Sequence, residues 1–306
     1  MFIVTYRKVF YIISGLIVLG SIATIMIFGF KLGIDFTGGT IIETSYTERP
    51  ALSDVQSAID NAPFKAEAPL GAYTLRPTGN NKYSVTARSL SPDEQQLILK
   101  ALSLNEKSEM KIERVNSIGP VIGSELKRKS YIAITVVILA IVTFVAFAFR
   151  KVSRPVSSWK YGLVTIAALV HDVVVPAGIF VLYSHFTGAQ VDLLFVTAIL
   201  ALLGYSVSDT IVVFDRVREN LRHAHSVSGD EFEKLVGASL SQTFIRSLNT
   251  SFTVFLMLLA LFFFGMATTQ DFIFVLLVGT IAGTYSSLFL AAPLLVTLEK
   301  LQKRDR

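Results

Sequence analysis

Six runs of mainly apolar residues, each long enough to cross about 30 Å of hydrocarbon, constrain the fold of this chain more than any other feature. They lie at residues 9–30, 131–149, 161–183, 191–214, 248–266 and 272–298. Charged residues make up 17% of the 306 residues, whereas about a quarter is usual for a soluble chain. The sequence therefore predicts an α-helical polytopic membrane protein with six transmembrane helices, in contact with membrane lipid and not with nucleic acid.

The first apolar run has the position of a signal peptide, because it follows Arg7 and Lys8 near the N-terminus. It is longer than the apolar part of a signal peptide, and no small-residue cleavage site follows it. We therefore expect an uncleaved first transmembrane helix.

Lys and Arg residues mark one side of the predicted membrane protein. They precede the first run, lie in connections 150–160 and 215–247, and end the chain at 300–306. Connections 184–190 and 267–271 contain neither Lys nor Arg. The positive-inside rule therefore places both termini in the cytoplasm. The exception is Lys127, Arg128 and Lys129 at the outer end of the second run, which a long translocated loop tolerates better than a short one.

Between the first two helices lies a polar segment that is large enough to fold by itself. Strand patterns at residues 40–46, 72–76, 83–88 and 110–116 are interspersed with helical patterns at 52–61 and 92–103. The order βαββαβ predicts a small ferredoxin-like α+β domain outside the cytoplasm. The predicted division is 1–32 (N-terminus and first helix), 33–129 (extracytoplasmic domain), 130–299 (helices two to six) and 300–306 (cytoplasmic tail).

The polar segment begins with a glycine-rich stretch, residues 33–40, which we call the GG segment. Its residues Gly33, Gly38 and Gly39 permit positive φ and close backbone approach. We expect a tight turn in which Asp35 and Thr37 hydrogen-bond to local amides. The GG segment lacks the GxxxxGK[ST] pattern of a phosphate-binding loop.

A second glycine-containing stretch, residues 117–126, returns the chain to the membrane, and we call it the return segment. It contains Gly119, Pro120 and Gly123. The residue types allow two interpretations, a hinge between domain and membrane part or a passive linker.

One carboxylate, Asp209, interrupts the fourth apolar run, and residues 210–214 after it are again mainly apolar. A charged Asp at the centre of a bilayer costs about 2.5–3.5 kcal/mol on insertion scales, so a functional site that faces a partner is the default interpretation. The alternative is that the span ends by Val207 and leaves Asp209 among the headgroups.

The third run contains His171 and Asp172 near its midpoint. Adjacent helical residues point about 100° apart, so spacing alone does not predict a salt bridge between them. Each is expected to find a partner on another helix or in a wet cavity, either as a packing pair or as part of a proton path. No His and Glu spacing typical of zinc is present, and no metal is expected.

Arg246, Asn249 and Thr250 share one helical face at the start of the fifth run. This face is expected at about the depth of Asp209, which predicts an ion pair between Asp209 and Arg246. The alternative role for Arg246 is a snorkelling anchor on the cytoplasmic side. Residues 279–283 form a GxxxG pattern in the sixth run, which is suited to close helix packing.

Four motifs together resemble the SecD/SecF family of the bacterial Sec translocase, in its SecF-type members. They are Gly-x-Asp-Phe-Thr-Gly-Gly at 33–39, Gly-Pro-x-Ile-Gly-x-Glu-Leu at 119–126, Ser-x-x-Thr-Ser at 247–251 and the stretch 204–220. The likeness covers essentially the whole chain, including the six-helix layout with one large outer loop.

The resemblance implies a half-unit of the RND superfamily that pairs with SecD in the bacterial cytoplasmic (inner) membrane. Together they assist the SecYEG channel in late export of preproteins. The energy source is the proton-motive force, with no cofactor besides the proton gradient.

The resemblance also implies roles for individual residues. The proton-handling Asp of the family falls on Asp209 and its Arg on Arg246, whereas His171 and Asp172 match a polar pair of open role. Ser208 stands where the family motif has Asn, which removes one amide. The supporting polar residues are Ser206, Ser208, Thr210, Asn249 and Thr250.

Two alternatives stay open beside proton-driven export. One is an exporter of small molecules or lipids, for which an outer domain of this size is small. The other is a non-catalytic scaffold that stabilises partner subunits. An enzyme is not expected, because no nucleophile, base and oxyanion set is found at a recognisable spacing.

Overall fold

The computed structural model describes residues 2–65, 69–79, 81–104, 108–149, 158–224 and 229–304. The chain divides into two compact units. The first comprises Met1–Phe30, Ile132–Ala189 and Leu194–Arg306, and the second comprises Lys31–Tyr131 and Gln190–Leu193. The basic residues predicted at 150–157, and the last two residues of the tail, lie outside the described residues.

The elements follow one another along the chain in an order that separates long helices from a small α+β part. They are α1 Phe2–Thr5, α2 Arg7–Phe28, α3 Ile34–Thr37, β1 Gly39–Tyr46, α4 Leu52–Asp60, β2 Thr74–Thr78, β3 Lys82–Ala87, α5 Pro92–Leu102, β4 Met110–Ile118, α6 Pro120–Ala148, α7 Ser158–Thr187, α8 Leu193–His223, α9 Asp230–Phe264, a 3₁₀ turn Ala267–Thr269, α10 Gln270–Tyr285, a π-helical turn Ser286–Ala291 and α11 Ala292–Arg304.

Six helices in the described ranges are long and apolar enough to cross a membrane, as the sequence predicts. Two of them begin well before the predicted apolar run. Helix α6 begins at Pro120 and α9 at Asp230, because Pro suits the first helical turn and acidic residues favour a helix N-terminus. Hydropathy therefore locates the membrane-crossing part of each helix and not the helix itself.

Three of the six spans form the interior of the first unit. Of the most apolar window in each helix, 67% is buried in α7, 50% in α8 and 61% in the span made by α10, the π turn and α11. The corresponding values for α2, α6 and α9 are 11%, 6% and 17%. The outer faces of these three helices are therefore available to lipid or to a partner.

Small residues let the interior helices approach closely. A Cβ at Gly279 would overlap the Leu202 side chain, and one at Gly283 would lie 3.2 Å from Ser206 Cβ. The close packing expected at the GxxxG pattern is thereby confirmed, with α8 as the partner. A Cβ at Gly178 of α7 would likewise overlap Ser21 of α2.

An ion-pair network joins three distant parts of the first unit at one end. Arg7 Nη1 lies 3.0 Å from Glu233 Oε1, and Lys300 also pairs with Glu233. The Gly229 amide donates to Glu299 Oε1 at 2.9 Å. The N-terminus, the start of α9 and the C-terminal helix therefore lie at the same end, as expected if both termini are on one side of the membrane.

The second unit is built on a four-stranded sheet of order β2-β3-β1-β4, in which each neighbouring pair is antiparallel. The element order is βαββαβ, as expected. One face packs against α4 and α5, where the core contains Ile42, Tyr83, Val85, Val55, Ile59, Ile98 and Leu102. Helix α5 begins with a capping box between Ser91 and Glu94, which fixes its first turn.

The GG segment and the return segment pack directly against each other. A Cβ at Gly38 would lie 2.7 Å from Pro120 Cα, and one at Gly123 would lie 2.8 Å from the Gly38 nitrogen. Only Gly119 separates β4 from α6, since Pro120 opens the helix. The structure therefore shows a closely packed crossing here, and a hinge at the return segment stays a prediction.

Asp35 does not hydrogen-bond to local amides, and that expectation was wrong. Its Oδ2 accepts from the Leu193 amide at 2.8 Å, at the first residue of α8. The Gly33 amide donates to Val191 O at 2.8 Å, which brings residues 190–193 beside the GG segment. A helix N-terminus attracts a carboxylate because its first amides lack partners within the helix. Thr37 Oγ1 donates to the Gly33 carbonyl at 3.0 Å.

We expect Gly38→Ala to lower the free energy of unfolding of the second unit by about 2 kcal/mol or more. Gly38 has φ +74°, and an added Cβ would overlap the Pro120 backbone. Gly119→Ala is the matched control, because no atom lies within 4 Å of its added Cβ. The stability of the second unit in each variant is measured by hydrogen exchange of the β1 amides in the full-length protein. Equal exchange rates in the two variants would contradict this packing.

Acid should destabilise the second unit through one ion pair. The Arg88 Nη2 lies 2.5 Å from Glu94 Oε1, and Ser91 N donates to Glu94 Oε2 at 2.8 Å. These bonds lower the pKa of Glu94 to about 2 from its ordinary 4.5. Because the folded pKa is the lower one, the stabilisation is present above pH 4.5 and lost as the pH falls towards 2.

Hydrogen exchange of α5 amides between pH 5 and pH 3 measures this loss after correction for the intrinsic exchange rate. Glu94→Gln keeps an uncharged capping side chain and should remove this part of the pH dependence. The stabilisation that acid removes is that of a partly exposed ion pair, at most about 1 kcal/mol. An unchanged pH dependence in Glu94→Gln would assign the acid sensitivity to other groups.

Candidate functional site

Two carboxylates, Asp172 on α7 and Asp209 on α8, lie within the mainly apolar runs of these helices. Such groups require hydrogen-bond donors or a partner, because lipid supplies neither. The structure surrounds these two groups differently, and this difference defines the candidate site.

Asp172 is fully partnered and 2% exposed. Its Oδ1 lies 2.9 Å from His171 Nδ1, and its Oδ2 accepts from the hydroxyls of Ser206 and of Ser286, the latter at 2.7 Å. Asp172 thus joins α7 to α8 and to the π turn. Spacing alone did not predict the contact between His171 and Asp172, which their side-chain rotamers make possible.

His171 is 3% exposed and contacts Tyr285 as well as Asp172. The two rings stack with centroids 5.9 Å apart, and Tyr285 Oη donates to the Phe10 carbonyl of α2 at 3.1 Å. His171 Nε2 has no hydrogen-bond partner in the described part of the chain. The polar cluster therefore extends from α8 through α7 to the first span.

The π turn supplies two adjacent hydroxyls to the cluster. Ser286 donates to Asp172, while Ser287 Oγ lies 2.9 Å from Thr210 Oγ1 and 3.4 Å from the Ser206 carbonyl. Such turns occur frequently at functional sites. Leu202 contacts Gly279, Ser206 contacts Gly283 and Thr210 contacts Ser287. The constant four-residue spacing on both sides shows that α8 and the sixth span run parallel.

Asp209 is half-buried and less well partnered. Its Oδ2 has no hydrogen-bond partner among the described residues, and the Ser247 hydroxyl of α9 lies beside the carboxyl. One turn away, Tyr205 Oη donates to Ser251 Oγ at 3.0 Å. The pairs 205/251 and 209/247 show that α8 and α9 run antiparallel. Asp209 thus has an unsatisfied buried oxygen at the contact between these helices.

The predicted ion pair between Asp209 and Arg246 is absent from the salt bridges of the described residues. Arg246, Asn249 and Thr250 do share a face of α9, but that face is exposed. Helix α9 packs on α8 through the adjacent face. That face carries the buried small residues Thr243, Ser247 and Ser251, which allow closer approach than Arg.

Both helices therefore carry exposed residues next to their contact. We call Gly204 and Ser208 of α8 together with Arg246 and Asn249 of α9 the polar stripe. Thr250 lies on the same face of α9, and its hydroxyl donates to the Arg246 carbonyl at 2.9 Å. The supporting residues predicted from the sequence thus separate: Ser206 and Thr210 are buried in the cluster, whereas Ser208, Asn249 and Thr250 are exposed.

Within the residues that the structure describes, no group of three or more His, Cys, Asp or Glu side chains could hold a metal ion. The chain has no cysteine. What the site contains is hydroxyls, one imidazole and two carboxylates. These groups can exchange and relay protons.

Sequence reasoning missed Tyr285, Ser286, Ser287, Ser247 and Ser251. The four-residue spacing of Thr243, Ser247 and Ser251 in an apolar stretch was a usable signal for a helix contact face. The paired serines of the π turn carried no such signal, because their orientation depends on one irregular turn.

Two family models match this chain, over residues 24–48 and 98–301. The family model described as "Protein export membrane protein SecD/SecF, C-terminal" matches residues 98–301. The model described as "SecD/SecF GG Motif" matches residues 24–48, which include the whole GG segment.

Curated relatives are similar over nearly their full length. Proteins named "Protein translocase subunit SecF" from Thermobaculum terrenum and Anaerolinea thermophila are 39% and 34% identical to this chain. The alignments cover 97% and 98% of this chain and 93% and 94% of those proteins.

Solved structures show the same fold. The crystal structure of SecDF from Thermus thermophilus, described as a translocon-associated membrane protein, matches 99% of this chain with TM-score 0.81 and 28% identity. SecDF in its super-membrane-facing form matches 98% with TM-score 0.63 and 29% identity. This chain spans 38% of the length of each SecDF chain.

Proposed function

Because this chain belongs to the SecD/SecF family of protein-export membrane proteins, we propose that it couples proton entry to protein export. Its relatives are translocase subunits, and a role in protein export is common to the family. The chain is a multi-pass membrane protein with six candidate spans among its described residues. The proposal concerns the energy source, the residues that use it and the partners.

Asp209 is the proposed proton carrier, and its unsatisfied Oδ2 is the observation that carries the proposal. A buried carboxylate that lacks donors is stabilised when it takes up a proton, whereas a fully hydrogen-bonded one is not. Asp172 is of the second kind, which leaves Asp209 as the better candidate. The neighbouring Ser247 hydroxyl offers a small polar contact that accommodates either protonation state.

A proton that enters from the outer side would neutralise Asp209 and change the packing of α8 against α9. The change would reach the outer domain through the GG segment and the return segment. Moving one charge through about 100 mV provides about 2.3 kcal/mol. That energy shifts a two-state equilibrium about fiftyfold, which is enough to drive a conformational step.

The remaining parts of the proposal concern placement. The chain lies in the bacterial cytoplasmic membrane, with both termini in the cytoplasm, and its βαββαβ domain, of ferredoxin-like type, lies outside. The clustered termini and the Lys and Arg distribution support this orientation. No hydrolytic site is proposed, and the transmembrane proton gradient is the energy source without a further cofactor.

A SecD part is the first proposed partner of this chain. The translocating preprotein and the SecYEG channel are the further proposed partners. This chain spans 38% of the SecDF chain that it matches, which indicates that a SecD part completes the assembly. The polar stripe supports a protein partner within the membrane, because Arg246 and Asn249 would be costly to expose to lipid. A partner that supplies acceptors to Arg246 would remove this cost.

We expect Asp209→Asn to abolish the gradient-dependent part of preprotein export while the complex still assembles. Asn keeps the size of the side chain but cannot carry a proton. Asp215→Asn is the control, because Asp215 is an exposed acid on the same helix that pairs with Arg218. The measurement is protease protection of a preprotein in inverted vesicles, with and without an imposed gradient.

Other results of this experiment decide among the alternatives. Loss of the complex in Asp209→Asn, or export equal to wild type, would support a scaffold. Normal preprotein export together with lost efflux of a lipid or a small molecule would support an exporter. Either outcome overturns the proposal.

We expect the double variant Arg246→Leu/Asn249→Leu to lower recovery of SecD with this chain by about fivefold or more. The change makes the α9 side of the polar stripe apolar and removes donors that lipid cannot satisfy. Thr143→Leu is the control, since Thr143 is an exposed polar residue on α6, outside the stripe. Equal recovery of SecD by both variants in a detergent pull-down would place the partner elsewhere.

A further inference from the structure

Asp172 has the features of a structural anchor for the segment that carries Asp209. Its carboxylate accepts hydrogen bonds from Ser206 on α8 and from Ser286 in the π turn, and its Oδ1 lies 2.9 Å from Nδ1 of His171 on its own helix. A carboxylate with several donors is stabilised as the charged form. Both oxygens of Asp172 thus have partners, whereas Oδ2 of Asp209 has none among the described residues.

The contacts of Asp172 lie one turn from Asp209. Ser206 precedes Asp209 by three residues on α8, and Thr210 follows it directly. Ser206 is held by Asp172, and Thr210 is held by Ser287 at 2.9 Å. The α8 segment that carries Asp209 is thus fixed on both sides of that residue by α7 and the π turn.

The α9 side of the same segment is held more weakly. Tyr205 Oη donates to Ser251 Oγ at 3.0 Å, while Asp209 itself has only Ser247 beside it. One face of the segment is thus attached through a charged acceptor and the other through neutral hydroxyls. Hydrogen bonds to a charged group contribute about twice as much as neutral ones.

We propose that Asp172 is the positioning residue of the proton site: it holds the α8 segment in register with the π turn and so presents Asp209 to α9. This inference rests on the proposed role of Asp209. It assigns a role to a hydroxyl set, Ser206, Ser286, Ser287 and Thr210, that acts through packing and not by carrying the transported proton.

The surroundings of both acids are consistent with separate roles. Among the described residues, Asp172 meets one ionisable group within hydrogen-bond distance, His171, and otherwise meets hydroxyls of α8 and the π turn. The ring of Tyr285 covers His171. Asp209 has Tyr205 on its own helix and Ser247 on α9, and Arg246 lies on the next, exposed face of α9.

The test is the rate at which a hydrophobic carbodiimide labels Asp209 in membranes that contain the full complex. The reagent reacts with protonated carboxyls in apolar surroundings, and mass spectrometry of the labelled peptide reports each acid separately. Labelling needs no transport, so it reports on geometry even if Asp209→Asn exports normally and the proposed function fails.

Ser286→Ala is the main variant, because it removes one donor to Asp172 with little change in volume. We expect about fivefold faster labelling of Asp209, as the loosened segment exposes the carboxyl more often. Ser21→Ala is the matched control, since Ser21 is a buried serine that packs on Gly178 away from the cluster. Thr210→Val, which removes the contact to Ser287, should act in the same direction as Ser286→Ala.

Two further readouts separate positioning from proton transfer. Asp172 should stay unlabelled in the wild-type protein, and Asp172→Asn should slow export several-fold while keeping its dependence on the gradient. Labelling of Asp172 at a rate like that of Asp209 overturns the inference, as does loss of gradient dependence in Asp172→Asn. The inference is also overturned if the rate at which Asp209 is labelled is unchanged in both Ser286→Ala and Thr210→Val.

Discussion

A carboxylate within an apolar helix must be given donors or a proton, and this constraint organises the membrane unit of the protein. Asp172 makes three hydrogen bonds with three elements, whereas one oxygen of Asp209 makes none with the described residues. The same chemical group therefore serves two purposes on two neighbouring helices. One carboxylate fixes three helices to one another, and the other is left able to change its protonation state.

Close approach of backbones makes this arrangement possible. Hydroxyls as short as those of Ser206 and Ser286 reach Asp172 only when α8 and the sixth span are near each other, and Gly279 and Gly283 permit that approach. The second unit uses the same device, since Gly38 and Gly123 let the GG segment cross the return segment. In both units, glycine positions thus determine where polar contacts form.

The sequence was informative about spans and about the order of strands and helices, because hydropathy and alternation are local properties. It located the carboxylates for the same reason, since a charge in an apolar run is conspicuous. It did not predict which side chains contact Asp209. Arg246 was the predicted ion-pair partner, yet the face of α9 that packs on α8 carries Ser247 and Ser251. Which helical face packs depends on neighbouring helices and on one π turn, and neither can be derived from spacing along a single helix.

The central claim is that Asp209 changes protonation while Asp172 does not. Infrared difference spectra of the purified complex, recorded between acidic and alkaline buffer, measure this through the carbonyl band of a protonated carboxyl. The account predicts a band that disappears in Asp209→Asn and persists in Asp172→Asn. A band that persists in Asp209→Asn and disappears in Asp172→Asn would contradict it.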